Sequence, residues 1–179
     1  MSIRSSLCAL FLLVGGAALA AESPTAVAKP GPEHKRLDAF VGTWNIEGQA
    51  QVSPYGPAGK VTEVDKFEWM PGGFFMTHHW DVRQGGVEIK GMEVLGYDSH
   101  RKVYTSHFFD NLGSSGSWKA TVQGNVWTWT GDTEVGGKPL KERCTVTVAS
   151  PDAFTNKCEY SSDGAKWLPN FEMKGTRAK

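Results

Sequence analysis

Apolar and polar residues alternate along most of the chain beyond residue 40, and short turns rich in glycine interrupt the alternation at close intervals. A period of two residues is typical of β-strands with one buried and one solvated face. The pattern predicts strands over residues 43–52, 61–69, 74–83, 87–97, 103–110, 117–122, 126–133, 140–149, 153–161 and 166–176. Because turns such as Gly85-Gly86 and Gly136-Gly137 are short, we expect successive strands to pair as antiparallel neighbours.

One segment ahead of the strands has helical spacing. Pro32 suits the first turn of a helix, and Leu37 and Phe40 are three residues apart. A meander of about ten strands exposes two edges unless it closes on itself. We therefore predict an all-β fold, an antiparallel up-and-down β-barrel with one short N-terminal helix. A two-sheet sandwich is the alternative, although sandwiches usually need longer crossing connections.

The turns also predict which side chains share a face, because the face alternates at every residue and a turn sets the register. Pairing across Gly85-Gly86 places His78 beside Glu93. Pairing across Ser99 to Arg101 then places His107 beside Glu93, with Thr105 close by. These residues would form a polar row on an otherwise apolar, inward face. A lone buried carboxylate costs several kcal/mol, so we expect the two imidazoles to pair with it.

This row has three interpretations. It is a satisfied internal hydrogen-bond network, or a polar patch that orients a ligand inside an aromatic cavity, or a site at which His78, Glu93 and His107 ligate zinc or iron. Four tryptophans continue the same face, where they either stack on a flat ligand or simply fill the core. They are Trp80, Trp118, Trp127 and Trp129.

The charge balance excludes one class of partner. Lys and Arg together number 19, as do Asp and Glu, so the chain has no basic excess to attract a phosphate backbone. We predict no nucleic-acid partner. The sequence also lacks a G-x-S-x-G elbow, an H-E-x-x-H pair and a phosphate-cradling glycine loop. Catalysis therefore has no local motif in its favour, and no catalytic residue is predicted.

The N-terminus has the pattern of a secretory signal. Arg4 precedes an apolar run from Leu7 to Leu19, which ends in the small-x-small sequence Ala18-Leu19-Ala20. The run is shorter than the ~20 residues that span a bilayer, so we predict no membrane span. The predicted organisation is a signal peptide over residues 1–20, a flexible leader over 21–32 and one domain over 33–179. Cleavage near Ala20 would export the protein to the periplasm or the medium.

Export bears on the cysteines. Removal of the signal peptide takes Cys8 away and leaves Cys144 and Cys158, which a turn at residues 150–152 places opposite each other on neighbouring strands. An even pair in an oxidising compartment predicts a disulfide. Two free buried thiols are the alternative.

Gly42-Thr43-Trp44, after a short helix, resembles the G-x-W motif of the calycin superfamily, which contains the lipocalin-like barrels. That resemblance implies that Trp44 closes one end of the barrel and that Arg177, near the end of the last strand, packs across it. The run from Gly91 to Asp98, with Tyr104 and Phe108-Phe109-Asp110, resembles the bacterial domain of unknown function 1579 family over residues 33–177. The family brings no established catalytic residues.

The chain is also similar in outline to nitrobindin-type haem barrels. Those barrels ligate haem through a histidine near the C-terminal end, whereas no histidine follows His107 here. We therefore predict no haem and no other cofactor, with an unknown metal left open. The expected function is an exported lipocalin-like protein that binds a small apolar or aromatic ligand. The alternatives are a metal-dependent or acid/base enzyme using the His-Glu-His row, and a structural or envelope-interaction protein with a filled barrel.

Overall fold

The protein is an antiparallel β-barrel in which every strand is hydrogen-bonded to its sequence neighbour and the last strand closes on the first. The computed structural model describes residues 29–179, so the predicted signal peptide (1–20) and residues 21–28 of the predicted leader lie outside the described residues. The prediction of a closed, ten-stranded, up-and-down barrel with one short helical segment is confirmed. Among the described residues, no helix has the length and apolar character needed to cross a membrane.

The helical segment and the strands follow one another without long connections. A short helix α1 (Pro32–Lys35) continues as a 3-10 turn (Arg36–Ala39). The strands are β1 (Gly42–Ala50), β2 (Gly59–Trp69), β3 (Phe75–Gln84), β4 (Val87–Asp98), β5 (Val103–Asp110), β6 (Ser115–Gln123), β7 (Val126–Val135), β8 (Lys138–Ser150), β9 (Ala153–Ser161) and β10 (Leu168–Arg177).

The helical segment covers the end of the barrel at which β1 begins and β10 ends, called here the closed end. Leu37 is fully buried and Phe40 nearly so, and the Phe40 ring contacts those of Phe67 and Trp127 at centroid distances of 5.8 and 5.1 Å. The Tyr104 hydroxyl donates a hydrogen bond to the Glu33 carbonyl at 2.9 Å, which ties the segment to β5. Apolar burial and this bond together seal the closed end.

Trp44 and Arg177 meet at the closed end as the resemblance to calycins implies. The guanidinium lies 4.3 Å from the centre of the fully buried indole, in a cation–π contact. The indole Nε1 donates to the Phe40 carbonyl at 2.7 Å, and the guanidinium donates to the Pro151 carbonyl. The guanidinium also donates to the Ala39 carbonyl at 3.3 Å, so both ends of the barrel sequence are joined to the helical segment.

Large aromatic rings on the inward face lie opposite glycines of the next strand. At Gly91, an added Cβ would come within 2.2 Å of the Trp80 ring, so only glycine allows that ring to lie against the wall. The aromatic–glycine pairs are Trp80 with Gly91, Phe108 with Gly116, Trp118 with Gly131 and Phe154 with Gly175. Pairing a large with a small residue packs the wall without overfilling the interior.

The predicted disulfide is present. Cys144 and Cys158 are directly opposite each other on β8 and β9, and their sulfurs are bonded. A two-residue turn, with Ser150 paired to Ala153, and a bulge between Val148 and Ser150 together give the register that the sequence predicted. Cys158 is buried in the barrel wall.

The predicted register of β5 is wrong by one residue. Asp98 pairs with Val103, so the connection from β4 to β5 contains four residues rather than three. Its last residue, Lys102, has a left-handed φ of 54°. The Asp98 carboxylate accepts hydrogen bonds from the His100 and Arg101 backbone amides, which stabilises this longer turn. A slip of one residue reverses the face of every side chain on a strand. Tyr104, Ser106 and Phe108 consequently point inward, and Thr105, His107 and Phe109 point outward.

Candidate functional site

The barrel interior contains two adjoining chambers. The inner chamber, of about 190 Å³, lies toward the closed end and is lined by Phe40, Phe67, His78, Ser106 and Trp129 among others. The outer chamber, of about 380 Å³, lies toward the opposite, open end. Both are bordered by Glu63, Glu93, Trp118 and Asn156, which mark the boundary between them. A cavity with aromatic walls and a few convergent polar groups is typical of small-molecule sites.

A buried imidazole bridges two carboxylates at this boundary. His78 Nδ1 lies 2.9 Å from Glu93 Oε1, in a hydrogen bond. His78 Nε2 lies 3.1 Å from Asp65 Oδ2, an ion-pair distance whose direction does not satisfy a hydrogen bond. The Phe67 ring stacks on the imidazole at a centroid distance of 3.8 Å and fixes its plane. The predicted pairing of His78 with Glu93 is confirmed. The second carboxylate partner of His78, Asp65, comes from β2.

The two carboxylates hold the imidazole in its charged form. Burial alone would lower the pKa of His78, but the charge of Asp65 and the hydrogen bond to Glu93 outweigh burial and raise that pKa to about 10. The reciprocal effect acts on Glu93. Burial would raise its pKa, yet the hydrogen bond and charge of His78 lower it below the ordinary value. The imidazolium and the Glu93 carboxylate therefore form a buried ion pair at neutral pH.

Glu63 adds a further carboxyl group beside this pair. It lies two residues before Asp65 on β2, so both side chains point inward. Burial, and next the charge of Asp65, raise the pKa of Glu63 well above its ordinary value. The charge of His78 only partly offsets these effects, so Glu63 tends to keep its proton.

Several buried polar atoms have no hydrogen-bond partner within the described part of the chain. They include Asp65 Oδ1 and Ser106 Oγ, on side chains that belong to residues 5% and 1% exposed. Both residues line the inner chamber. Buried polar groups are ordinarily paired with protein, water or ligand. Both atoms are therefore free to pair with a water molecule or with a polar group of a bound molecule.

The open end is partly covered by the connection between β1 and β2. Ser53 Oγ donates to Asn170 Oδ1 at 2.9 Å, and Gln84 Nε2 donates to the Pro57 carbonyl at 3.0 Å. Tyr55 from this connection lines the outer chamber beside Glu142. Burial raises the pKa of Tyr55 and that of Glu142. The mouth of the outer chamber thus also carries an acidic side chain that burial disfavours as an anion.

The predicted binding residues divide between interior and surface. Trp80 and Trp118 line the outer chamber, Trp118 and Trp129 line the inner one, and Trp127 is packed in the core against Phe40 and Tyr104. Whether any of these tryptophans contacts a ligand stays a prediction. Thr105 lies instead in a groove on the outer surface of the barrel.

The predicted pairing of Glu93 with His107 is wrong. Glu93 pairs with Phe108, and His107 pairs with Val94 on the outer face. There its Nδ1 lies 2.8 Å from Ser117 Oγ, in an exposed contact. The set His78, Glu93 and His107 is therefore on two faces of the wall and cannot ligate one metal ion. Within residues 29–179, no three His, Cys, Asp or Glu side chains are arranged to hold a metal.

The site predicted from the sequence lacks the acidic residues of β2. The inward positions of β2 run Val61, Glu63, Asp65 and Phe67, so two acids lie between two apolar residues on one face. That alternation was a usable signal, because an acid among inward apolar positions needs a partner. The connection between β2 and β3, residues 70–74, hid which residue of β3 would be the partner. Ser106 was missed because of the register error on β5.

Comparison with known proteins identifies the fold and a family. The model of a family described as "Protein of unknown function (DUF1579)" matches residues 29–177. No curated protein matches the chain. The crystal structure of Rv2717c from M. tuberculosis is similar with a TM-score of 0.59 and 13% identity, over 83% of this chain and 99% of that one. The S-type phycobiliprotein lyase CPES from Guillardia theta is similar with a TM-score of 0.52 and 14% identity, over 84% and 99%. At these identities the likeness shows the fold alone.

Proposed function

This chain belongs to the DUF1579 family, and we propose that it is an exported protein that binds a small, largely apolar or aromatic molecule inside its barrel. One observation carries the proposal. The cavity has aromatic walls, yet Asp65 Oδ1 and Ser106 Oγ, both deeply buried, lack a hydrogen-bond partner among the described residues. An apolar body with a few polar atoms would satisfy both features of such a site.

The chamber dimensions support a ligand of modest size. The outer chamber, at about 380 Å³, falls within the range of roughly 300–1,000 Å³ that is usual for ligand pockets. Its aromatic wall, formed by Trp80, Phe108 and Trp118, offers flat surfaces on which rings stack. Export is supported by the signal-like N-terminus and by a disulfide, which persists in oxidising compartments.

The alternatives have less support. A filled barrel is at odds with two chambers of these volumes. An acid/base enzyme would draw on the buried His78, since buried ionisable groups with shifted pKa values are common at catalytic sites. With a pKa near 10, however, the imidazole keeps its proton at neutral pH and does not serve as a base.

The test is fluorescence titration with the neutral apolar dye N-phenyl-naphthylamine, together with native mass spectrometry of protein purified without added ligand. We expect saturable dye enhancement near equimolar stoichiometry, and a copurified organic mass that denaturation releases. Absence of both would contradict the proposal. Sequencing the N-terminus of protein recovered from the periplasm or medium tests export, for which a mature terminus near Ala21 is expected.

A matched pair of variants separates interior from surface binding. Val82 lines the outer chamber, whereas Val64 lies on the outer face of the adjacent strand and is 48% exposed. Val82→Trp should fill the chamber and abolish dye binding, while Val64→Trp should leave it unchanged. Equal effects of the two substitutions would place the dye outside the barrel.

A further inference from the structure

The chambers contain many more acids than bases. Five carboxyl groups face them, namely Glu63, Asp65, Glu93, Glu142 and, at the rim, Asp110, against the single imidazole of His78. No lysine or arginine within residues 29–179 lines either chamber. His78 already bridges two of the carboxylates. A negatively charged ligand would therefore enter a poorly solvated, acidic site without a free cation to pair with it.

The unpartnered carboxylate oxygen of Asp65 needs a hydrogen-bond donor. A carboxylate oxygen accepts hydrogen bonds and cannot donate them, and Asp65 Oδ1 has no hydrogen-bond partner within the described residues apart from the proton that Glu63 keeps beside it. Asp65 is 5% exposed and lines the inner chamber. Glu63 lies beside it and borders both chambers. A ligand N–H group at this place would satisfy the oxygen.

Glu63 also explains why the donor should be charged. Burial and the neighbouring Asp65 carboxylate disfavour the ionised form of Glu63. A cation next to both groups would remove this penalty, because Glu63 could then release its proton to solvent and form a charge-assisted hydrogen bond. A neutral donor would leave the carboxyl protonated and gain less.

The outer chamber suits the rest of such a ligand. Trp80, Phe108 and Trp118 line it, and the Trp80 and Phe108 rings are 6.4 Å apart at their centroids. Aromatic faces attract cations as well as apolar rings. At Glu63, therefore, the acidic part of the interior adjoins the aromatic wall of the outer chamber.

We infer that the ligand carries a positively charged nitrogen, as an amine or amidine, which lies between Glu63 and Asp65 while its aromatic or apolar body occupies the outer chamber. This inference rests on the proposed ligand-binding function and gives it a chemical class. It excludes fatty acids and other apolar carboxylates as ligands.

The experiment compares three probes with one ring system and different head groups: naphthylmethylamine, naphthylmethanol and naphthoate. Each competes against bound N-phenyl-naphthylamine at neutral pH. The amine should bind at least about tenfold more tightly than the alcohol, the effect of one charge-assisted hydrogen bond, and naphthoate should bind more weakly than the alcohol. Calorimetry of amine binding in buffers of different ionisation enthalpy should show proton release.

Two variants locate the effect. Glu63→Gln keeps the shape of the side chain and replaces a carboxyl group that is protonated in the free protein, so the fold should tolerate it. It should reduce the preference for the amine over the alcohol to about twofold or less and abolish proton release. Glu47→Gln on the outer face of β1, where Glu47 pairs with Lys60, should preserve both.

The outcomes distinguish this inference from the proposed function. Naphthoate binding as tightly as the amine, with the dye still bound by the protein, would overturn the cation inference and leave ligand binding intact. An amine preference that survives Glu63→Gln would overturn the placement of the nitrogen at Glu63. Failure of the dye and of all three probes to bind would overturn the proposed function and the inference together.

Discussion

The buried ion pair of His78 predicts that the protein loses stability as the pH rises through the neutral range. The imidazole has a folded-state pKa of about 10 against an ordinary value of 6.5. A group whose pKa is raised on folding stabilises the protein fully below its unfolded pKa, and that contribution disappears as the pH approaches the folded pKa. The relevant window therefore runs from 6.5 to about 10.

The magnitude follows from the size of this shift. One pKa unit corresponds to about 1.4 kcal/mol, so the shift sets a ceiling of about 5 kcal/mol. Between about pH 6 and about pH 8, titration of the unfolded state removes about 2 kcal/mol of this contribution. Glu63 acts in the same direction because its pKa is also raised. The lowered pKa of Glu93 acts at the acid end and does not oppose the change.

The assay is urea unfolding followed by tryptophan fluorescence, at about pH 6, 7 and 8 and constant ionic strength. The free energy of unfolding should fall by at least about 2 kcal/mol over this range. His107→Gln is the control, because His107 lies on the outer face in an exposed contact with Ser117, and this variant should show the same fall.

A direct measurement assigns the effect to one residue. The ring nitrogens of His78, identified by nuclear Overhauser contacts to the stacked Phe67 ring, should keep imidazolium chemical shifts up to at least about pH 9. Deprotonation of His78 near its ordinary pKa, together with a flat stability profile, would refute the ion-pair argument.

Three further predictions concern the barrel wall. Replacing both Cys144 and Cys158 by serine should lower the free energy of unfolding by about 3 kcal/mol, since the disulfide closes a loop with a sequence separation of 14; an unchanged denaturation midpoint in oxidising buffer would contradict this. Gly91→Ala should cost about 2 kcal/mol because the new methyl would lie 2.2 Å from a tryptophan ring, whereas Gly59→Ala, with open space around it, should be nearly neutral in the same thermal-melt comparison. Arg177→Met should cost about 2 kcal/mol by removing a cation–π contact and leaving backbone carbonyls without their donor, and calorimetry showing an unchanged melting temperature would argue against a closing role.

The strand periodicity and the short turns were sufficient to predict the closed barrel. Pairing across Gly85-Gly86 also gave the correct relation of His78 to Glu93, and the turn at residues 150–152 gave that of the two cysteines. At Gly85-Gly86 the short turn alone fixes the register, whereas at the cysteines a two-residue turn and a bulge between Val148 and Ser150 fix it together.

The composition of the site was decided by the tertiary structure. One extra residue in the connection from β4 to β5 reversed the face of β5, which moved His107 to the surface and brought Ser106 into the inner chamber. Asp65 and Glu63 met His78 only because β2 pairs with β3 across a connection whose register the residues do not reveal. Alternation along each strand is a local property that the sequence encodes directly. The contact of two carboxylates with one imidazole depends on the register between neighbouring strands, and closure of the barrel fixes that register.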